Sequence, residues 1–273
     1  MSTDFSVLMS LYIKENPYYF RECMESILRQ TLQPKEIVIV KDGPLTKELE
    51  MVLEEYQGKN PALYTIVPLE KNQGLGIALA EGIKQCKYEL VARMDTDDIA
   101  REDRFSLQMN EFIKNPKLDI CGSNIAEFED SIENIVAHRR VPTGDAEIKQ
   151  YQKRRDAFNH MTVMYKKSTV IKAGNYQSCM LMEDSLLWVN MFLAGAVAKN
   201  IDDNLVYARV GKNMFERRGG FSYFIKYRAG RKVILGTGYI SLFDYVLSLA
   251  IQLGVAIVPN CIRGWIYKKF LHQ

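Results

Sequence analysis

Arg93-Met94-Asp95-Thr96-Asp97-Asp98 places three carboxylates within four residues. Held together they repel one another, and each loses hydration if buried, so a plain core strand does not end this way. A hard divalent cation removes the conflict, because Mg2+ or Mn2+ takes one or two carboxylates and fills its shell with substrate phosphates. An isolated acidic triplet is more often a solvated turn capping the next helix; after a buried strand of an α/β sheet the metal reading moves ahead. Asp42, followed by Gly43, is another carboxylate after an apolar run. It could accept the ring N–H of a pyrimidine base or simply close an Asp-Gly turn. Asn72-Gln73-Gly74-Leu75-Gly76 opens a helical pattern with glycines that permit a close ligand, yet it is neither a Walker A loop nor G-x-G-x-x-G. Glu183-Asp184 precedes Leu187-Trp188 at a helix start, where carboxylates suit the dipole in any case. Asp184 there could be a general base if it faces the same edge as the metal. His160 reads more readily as a hydrogen-bonded structural histidine than as a catalyst, and no Ser/His/Asp or Cys/His arrangement is visible.

The elements that must carry these residues alternate strand and helix over the first 120 or so positions. FSVLMSL (5–11) is an apolar strand, and Asn16-Pro17 then caps a helix over 18–30 with Phe20, Cys23, Met24, Ile27 and Leu28 at helical spacing. EIVIV (36–40) is a second strand. A helix over 47–56, a strand near 64–67, a helix over 74–86 and a strand over 89–94 complete the series. Such βαβ units predict a mostly parallel sheet with helices on both faces, whose ligands bind beyond the carboxyl ends of the strands. Tyr12, Asp42 and residues 95–98 all fall at that edge. From about 130 the pattern is less regular: 130–145 reads as loops, 161–165 as a strand, 170–173 as a short helix and 183–193 as a helix.

The chain has 273 residues, 47% hydrophobic and 25% charged, which excludes disorder, collagen and coiled coil. Thirty-six basic against 33 acidic residues give +3, too balanced for a nucleic-acid partner. Five scattered cysteines without a CxxC pair and only three histidines exclude a disulfide framework and make a structural zinc site improbable. MSTDFSVLMS shows no secretory signal, so a cytoplasmic location is expected.

VLMSLYIKENPYYFRECMESILRQTLQPKEIVIVKDG, EKNQGLGIALAEGI, VARMDTDDIAREDRFSLQ, LDICGSN, FNHMTVMYKKSTVIKAGNY and MEDSLLWVNMFLAG together resemble, in this order, the family 2 glycosyltransferases over roughly residues 4–210. The resemblance implies the GT-A fold and an inverting transfer from a nucleotide sugar, UDP being the expected nucleotide, with Mn2+ or Mg2+ as cofactor. It implies that Tyr12, Asp42 and Asn72 bind the nucleotide and that Asp95 meets the ribose or the metal's shell. Asp97 would ligate the metal and Asp184 would be the catalytic base. Arg93 and Arg104 also match, Arg93 on the nucleotide-sugar side, while Glu183, His160 and Trp188 stand as acceptor-side or supporting positions. Two departures are visible. Gly211 stands where many relatives carry a histidine after a Tyr-Arg pair, and Asn190 stands where many carry arginine.

The expected organisation is a catalytic domain over 1–218, with a nucleotide half to about 125 and an acceptor half over 126–218, followed by a helical tail over 219–273. The apolar run 239–258 is interrupted by Asp244, Ser248 and Gln252 and ended by Pro259, which makes a poor spanning helix. Arg228, Arg231 and Lys232 before it, and Arg263, Lys268 and Lys269 among aromatics after it, suit a helix lying on an anionic membrane. Packing against the catalytic domain or a second copy is the competing reading. The resulting expectation is a peripheral enzyme at the inner face of the cell membrane, adding a sugar to a glycan or lipid-linked acceptor in surface-polysaccharide synthesis. A silent scaffold subunit is the non-enzyme alternative. A sugar nucleotidyltransferase is disfavoured because residues 10–15 lack a glycine- and lysine/arginine-rich triphosphate loop.

Overall fold

The computed structural model describes residues 3–211 and 220–257. β1 (Phe5–Leu11) alternates its side chains across a sheet: Val7 and Met9 join one core layer while Leu8 joins the other. α1 (Pro17–Leu28) begins where expected, with the Asn16 side chain accepting from the Tyr18 N–H at 2.9 Å and Pro17 in its first turn. β2 (Glu36–Lys41), α2 (Lys47–Lys59), β3 (Tyr64–Pro68), α3 (Leu75–Gln85) and β4 (Leu90–Arg93) continue the βαβ series. These four strands lie in the order β3-β2-β1-β4, every neighbour parallel.

The second half of the sheet is mixed. It contains β5 (Ile99–Ala100), β6 (Ile120–Phe128), β7 (Ile135–Arg139), β8 (Met164–Lys166) and β9 (Ala198–Arg209). β8 runs antiparallel to β4 and β6, β9 runs parallel to β6, and β5 and β7 pair antiparallel with β9 and β6. Among the described residues the order is β3-β2-β1-β4-β8-β6-β9-β5, with β7 beside β6. The stretch 130–145, expected as loops, thus contributes β7, because only pairing with β6 reveals it as a strand.

Helices cover both faces, as expected. α1, α2 and α4 (Arg104–Lys114) bury Phe20, Leu53 and Phe112 on one side. α3, α5 (Asp145–Gln152), α6 (Lys167–Lys172) and α7 (Glu183–Leu193) bury Leu79, Ile148, Val170 and Trp188 on the other.

The tail is helical in its described part: α8 (Gly220–Gly236) and α9 (Leu242–Ile257) form a hairpin. It packs against α7 and the loop before it through Ile234 and Ile240, which share a small core with Cys179, Met182, Leu186 and Val189. Arg231, expected on a membrane-facing surface, is instead buried. Its Nε donates to Ser248 Oγ at 3.1 Å and its Nη2 to the Lys153 carbonyl at 2.6 Å, so it ties both helices to α5. No helix among the described residues is long and apolar enough to cross a membrane. Cys23, Cys86, Cys121 and Cys179 are buried and free. Cys261, Arg263, Lys268 and Lys269 lie outside the described residues.

Candidate active site

β4 ends in the acidic turn, and the fold does gather its carboxylates: ligand oxygens of Asp95, Asp97 and Asp98 all lie within 4.8 Å of one another. The register of β5 on β9 sets Ile99 opposite Tyr207, which brings Arg209 level with Asp97. The Arg209 N–H donates to Asp98 Oδ1 at 2.8 Å and its Nε donates to the Asp97 carbonyl at 3.0 Å. Its guanidinium sits 3.9 Å from the Tyr19 ring centre, 4.6 Å from that of Phe128, and bonds Glu22 at 2.7 Å. This clamp holds the Asp97 backbone and the Asp98 carboxylate, and all three acids line a cleft of about 430 Å³. Arg209 was not singled out in the sequence, since only the β5–β9 pairing places it here.

The electrostatics are those of a carboxylate cluster that Arg93 and Arg209 offset only in part. Burial first, and then the neighbouring Asp95, push the Asp97 carboxyl up to about 6. Asp98 is raised by burial, Asp97 and Asp95. A fourth carboxyl, Glu15 in the loop after β1, is pushed up to about 7 by burial and by Asp97 and Asp95, even with a hydrogen bond to Thr96. A divalent cation would relieve all of them, so the donor set fits a hard metal ion. Asp97 and Asp95 could hold it. Gly211 lies beside Asp97 and Arg209 on a small cavity of about 220 Å³, so the position where the resemblance leads one to expect histidine borders this cluster.

Arg93 is 2% exposed and forms an ion pair with Asp95, while its Nε and Nη1 meet no partner among the described residues. Arg104 stands behind it, Nη2 donating to the Arg93 carbonyl at 2.7 Å. Burial and the Arg93 charge hold His160 well below its usual range, so its ring is neutral. Its Nε2 pairs with Tyr176 Oη at 2.9 Å, and the ring packs edge-on against Trp188. Trp188 is fully buried against Phe158 and Tyr165. It is therefore out of an acceptor's reach and serves as packing behind His160.

At the carboxyl end of β2, both oxygens of Asp42 are used: Oδ1 accepts from the Gln73 N–H at 2.7 Å and Oδ2 from the Gly74 N–H at 3.0 Å. Asn72 returns a bond from Nδ2 to the Asp42 carbonyl at 3.3 Å. Gly43 makes this clasp possible. Its φ is +87°, and a Cβ there would stand 2.6 Å from the Asn72 nitrogen. Tyr12 is half-buried after β1, its carbonyl accepting from the Glu15 N–H at 3.0 Å.

Gly76 joins the two halves, for a Cβ on it would come 3.0 Å from Glu183 Cβ. The start of α3 thus lies against the start of α7. Asp184 is half-buried there, and Oδ1 accepts from the Ser185 N–H at 2.8 Å. Burial, Asp156 and Glu183 push its carboxyl up to about 8, and Glu183 is raised chiefly by burial. Gln152, fully buried, holds Ser185 Oγ at 2.9 Å and Asp156 Oδ1 at 3.4 Å, which fixes these acids about one another. Leu181 lines both the acidic cleft and a second cleft bounded by Gly74, Gly76 and Glu183. The arrangement offers carboxylates to a divalent cation in the first cleft and the raised carboxyl of Glu183 on the second, with Asp184 next to it in the chain.

Comparisons with known proteins give the family and the fold. Residues 6–172 match the family described as Glycosyl transferase family 2. An uncharacterized glycosyltransferase of Haemophilus influenzae is 43% identical over 277 residues, covering 98% of this chain and 99% of that protein. The UDP-Gal:alpha-D-GlcNAc-diphosphoundecaprenol beta-1,3-galactosyltransferase of Escherichia coli is 36% identical over 270 residues, covering 98% and 97%. The crystal structure of S. aureus TarS 1-349 in complex with UDP-GlcNAc superposes with a TM-score of 0.62 at 18% identity, covering 98% of this chain and 71% of that one. The fold is therefore the GT-A glycosyltransferase fold, and the chain belongs to glycosyl transferase family 2.

Proposed function

We propose that this glycosyltransferase moves a sugar from a UDP-linked donor to a lipid-linked glycan, with inversion, at the inner face of the cell membrane during surface-polysaccharide synthesis. The observation that carries the donor half is the trio Asp95, Asp97 and Asp98, gathered within 4.8 Å at the carboxyl end of β4. The E. coli relative, which aligns over nearly the whole of both chains and whose name specifies UDP-Gal and a diphosphoundecaprenol acceptor, supports the donor and acceptor classes.

In this reading each residue has a role. Tyr12, Asn72 and the clasped Asp42 receive the uridine, with Asp42 offering its remaining lone pairs to the ring N–H. Arg93 keeps Asp95 oriented toward the ribose and diphosphate. Asp97, with Asp95, holds Mn2+ or Mg2+. When bound, the ion supplies Lewis-acid stabilisation of the charge that develops on the departing diphosphate. Asp184 takes the proton of the acceptor hydroxyl as it attacks the anomeric carbon from the face opposite the leaving group. Glu183 shares the start of α7 with it, while neutral His160 and buried Trp188 support the wall behind. Single displacement then inverts the anomeric centre.

Calorimetric titration of the full chain with UDP, with and without Mn2+, tests the donor half. Binding that strengthens at least tenfold with Mn2+ is expected. Equal binding in both conditions, or none of any nucleoside diphosphate, would remove the metal-assisted reading.

A further inference from the structure

We infer that the outer face of the α8–α9 hairpin is a docking surface for an anionic lipid bilayer, one that brings the acidic cleft to the membrane. The inner face of the hairpin is already spent. Ile234 and Ile240 fill the small core on α7, Arg231 is buried across α5 and α9, and Tyr239 Oη donates to the Lys149 carbonyl at 2.8 Å. Arg154 bonds Asp244 at 2.7 Å, which pins the start of α9 to the end of α5.

The outer face has no protein partner among the described residues and is strongly apolar. Phe221 is 68% exposed, Leu242 and Phe243 are each 67%, and Ile225, Val246 and Ile251 are 54%, 55% and 55%. So many large apolar groups on one short hairpin mark an interaction surface. Charge chooses the partner. Exposed Lys226, Arg228 and Lys232 punctuate α8, and the guanidinium of Arg154 lies 5.6 Å from the centre of the Phe243 ring. The one carboxylate in α8 and α9, Asp244, is buried, paired with Arg154 and hydrogen-bonded by the Ser241 hydroxyl. Aromatic and aliphatic groups interleaved with cations, and no exposed acid, complement an anionic headgroup layer. Pairing with a second copy would instead bring like charges together. Tyr223 lines the acidic cleft while Phe221 and Ile225 on the same helix face outward, so the apolar surface begins within about one helical turn of the cleft wall. A lipid-linked acceptor could then enter without leaving the membrane; that consequence, unlike the surface itself, rests on the acceptor reading above.

The test is flotation of the full chain with vesicles of phosphatidylglycerol and phosphatidylcholine, against phosphatidylcholine alone. Binding at least tenfold tighter to the anionic vesicles is expected. Lys226→Glu with Lys232→Glu should weaken it by more than about tenfold, because each juxtamembrane cation contributes roughly fivefold. Ile225→Ser with Phe243→Ser should weaken it by about tenfold or more through lost apolar burial. Both double variants should titrate with UDP as the wild type does. Failure to bind anionic vesicles, equal binding to both compositions, or variants that bind like the wild type would overturn the surface. So would a dimer that dissociates in the Ser variant, since it would give this face to a second copy. Loss of UDP binding by the unaltered chain would count against the transferase reading and leave the surface standing.

Discussion

Asp184→Asn is expected to lower sugar transfer by about 10²–10⁴-fold, the usual contribution of a positioned general base, while leaving UDP affinity within a factor of two or three. The amide keeps the shape and the bond from the Ser185 N–H, so the start of α7 should survive. What it removes is the ability to take a proton. The carboxyl is pushed up to about 8 by burial, Asp156 and Glu183, so in the free enzyme it is largely protonated at neutral pH. For the wild type, kcat/KM should accordingly rise with pH and level off above about 8. The same shift makes a stability prediction of definite sign. Below the ordinary value of 3.8 both folded and unfolded chains carry the proton, and nothing is lost. Between 3.8 and about 8 the folded chain keeps a proton that the unfolded chain releases, so stability falls as pH rises. Asp184→Asn is free of that loss and should melt at a higher temperature than the wild type at pH 9, the gap closing toward pH 4. Thermal melts across this range, with transfer assays at saturating donor, check both parts. An inactive variant that also loses UDP binding would place Asp184 in the donor site and contradict its role as base.

Asp97→Ala is expected to abolish the Mn2+-dependent part of nucleotide binding and to lower transfer by 100-fold or more, with added Mn2+ unable to restore it. The reason lies in the cluster's balance. Asp97 is held up to about 6 by burial and Asp95, so the empty trio is a site of stored repulsion that a divalent ion converts into attraction. Removing Asp97 takes away a ligand and relieves the repulsion on Asp98 and Glu15 together. The metal-free variant should therefore be at least as stable as the metal-free wild type, and Mn2+ should no longer raise its melting temperature. A wild-type response to Mn2+ in this variant would move the ion elsewhere.

Much of this site was legible in the sequence because its residues follow strands of strong local pattern. β1, β2 and β4 are short apolar runs between capped helices, and Tyr12, Asp42 and the acidic turn stand directly after them. α7 was legible to the residue, since its apolar spacing begins at the acidic pair Glu183-Asp184. The missing walls belong to β6 and β9. β6 is buried throughout but contains Gly122, Ser123, Asn124 and Glu127, and β9 carries Asp202, Asp203 and Asn204 in its middle. Their polar groups are satisfied by distant partners, such as Asn124 Nδ2 donating to Asp202 at 2.9 Å and Ser123 N to Thr162 Oγ1 at 3.0 Å. Neither strand shows an alternation that could be read without its neighbour. Arg209 and its clamp on the acidic turn were hidden for the same reason. The tail was half legible: its charges could be counted, but that Arg231 turns inward depends on the Lys153 carbonyl 78 residues away.

The most direct measurement of the central claim is the product itself. The full chain, supplied with Mn2+, a panel of UDP-hexoses and a panel of diphospho-lipid-linked sugars, should release UDP with at least one donor. The new glycosidic linkage, read from its anomeric proton coupling by NMR, should have the configuration opposite to that of the donor. Retained configuration would contradict the single displacement assisted by Asp184. No release of UDP from any donor, in a chain shown to bind UDP, would contradict the assignment of donor and acceptor.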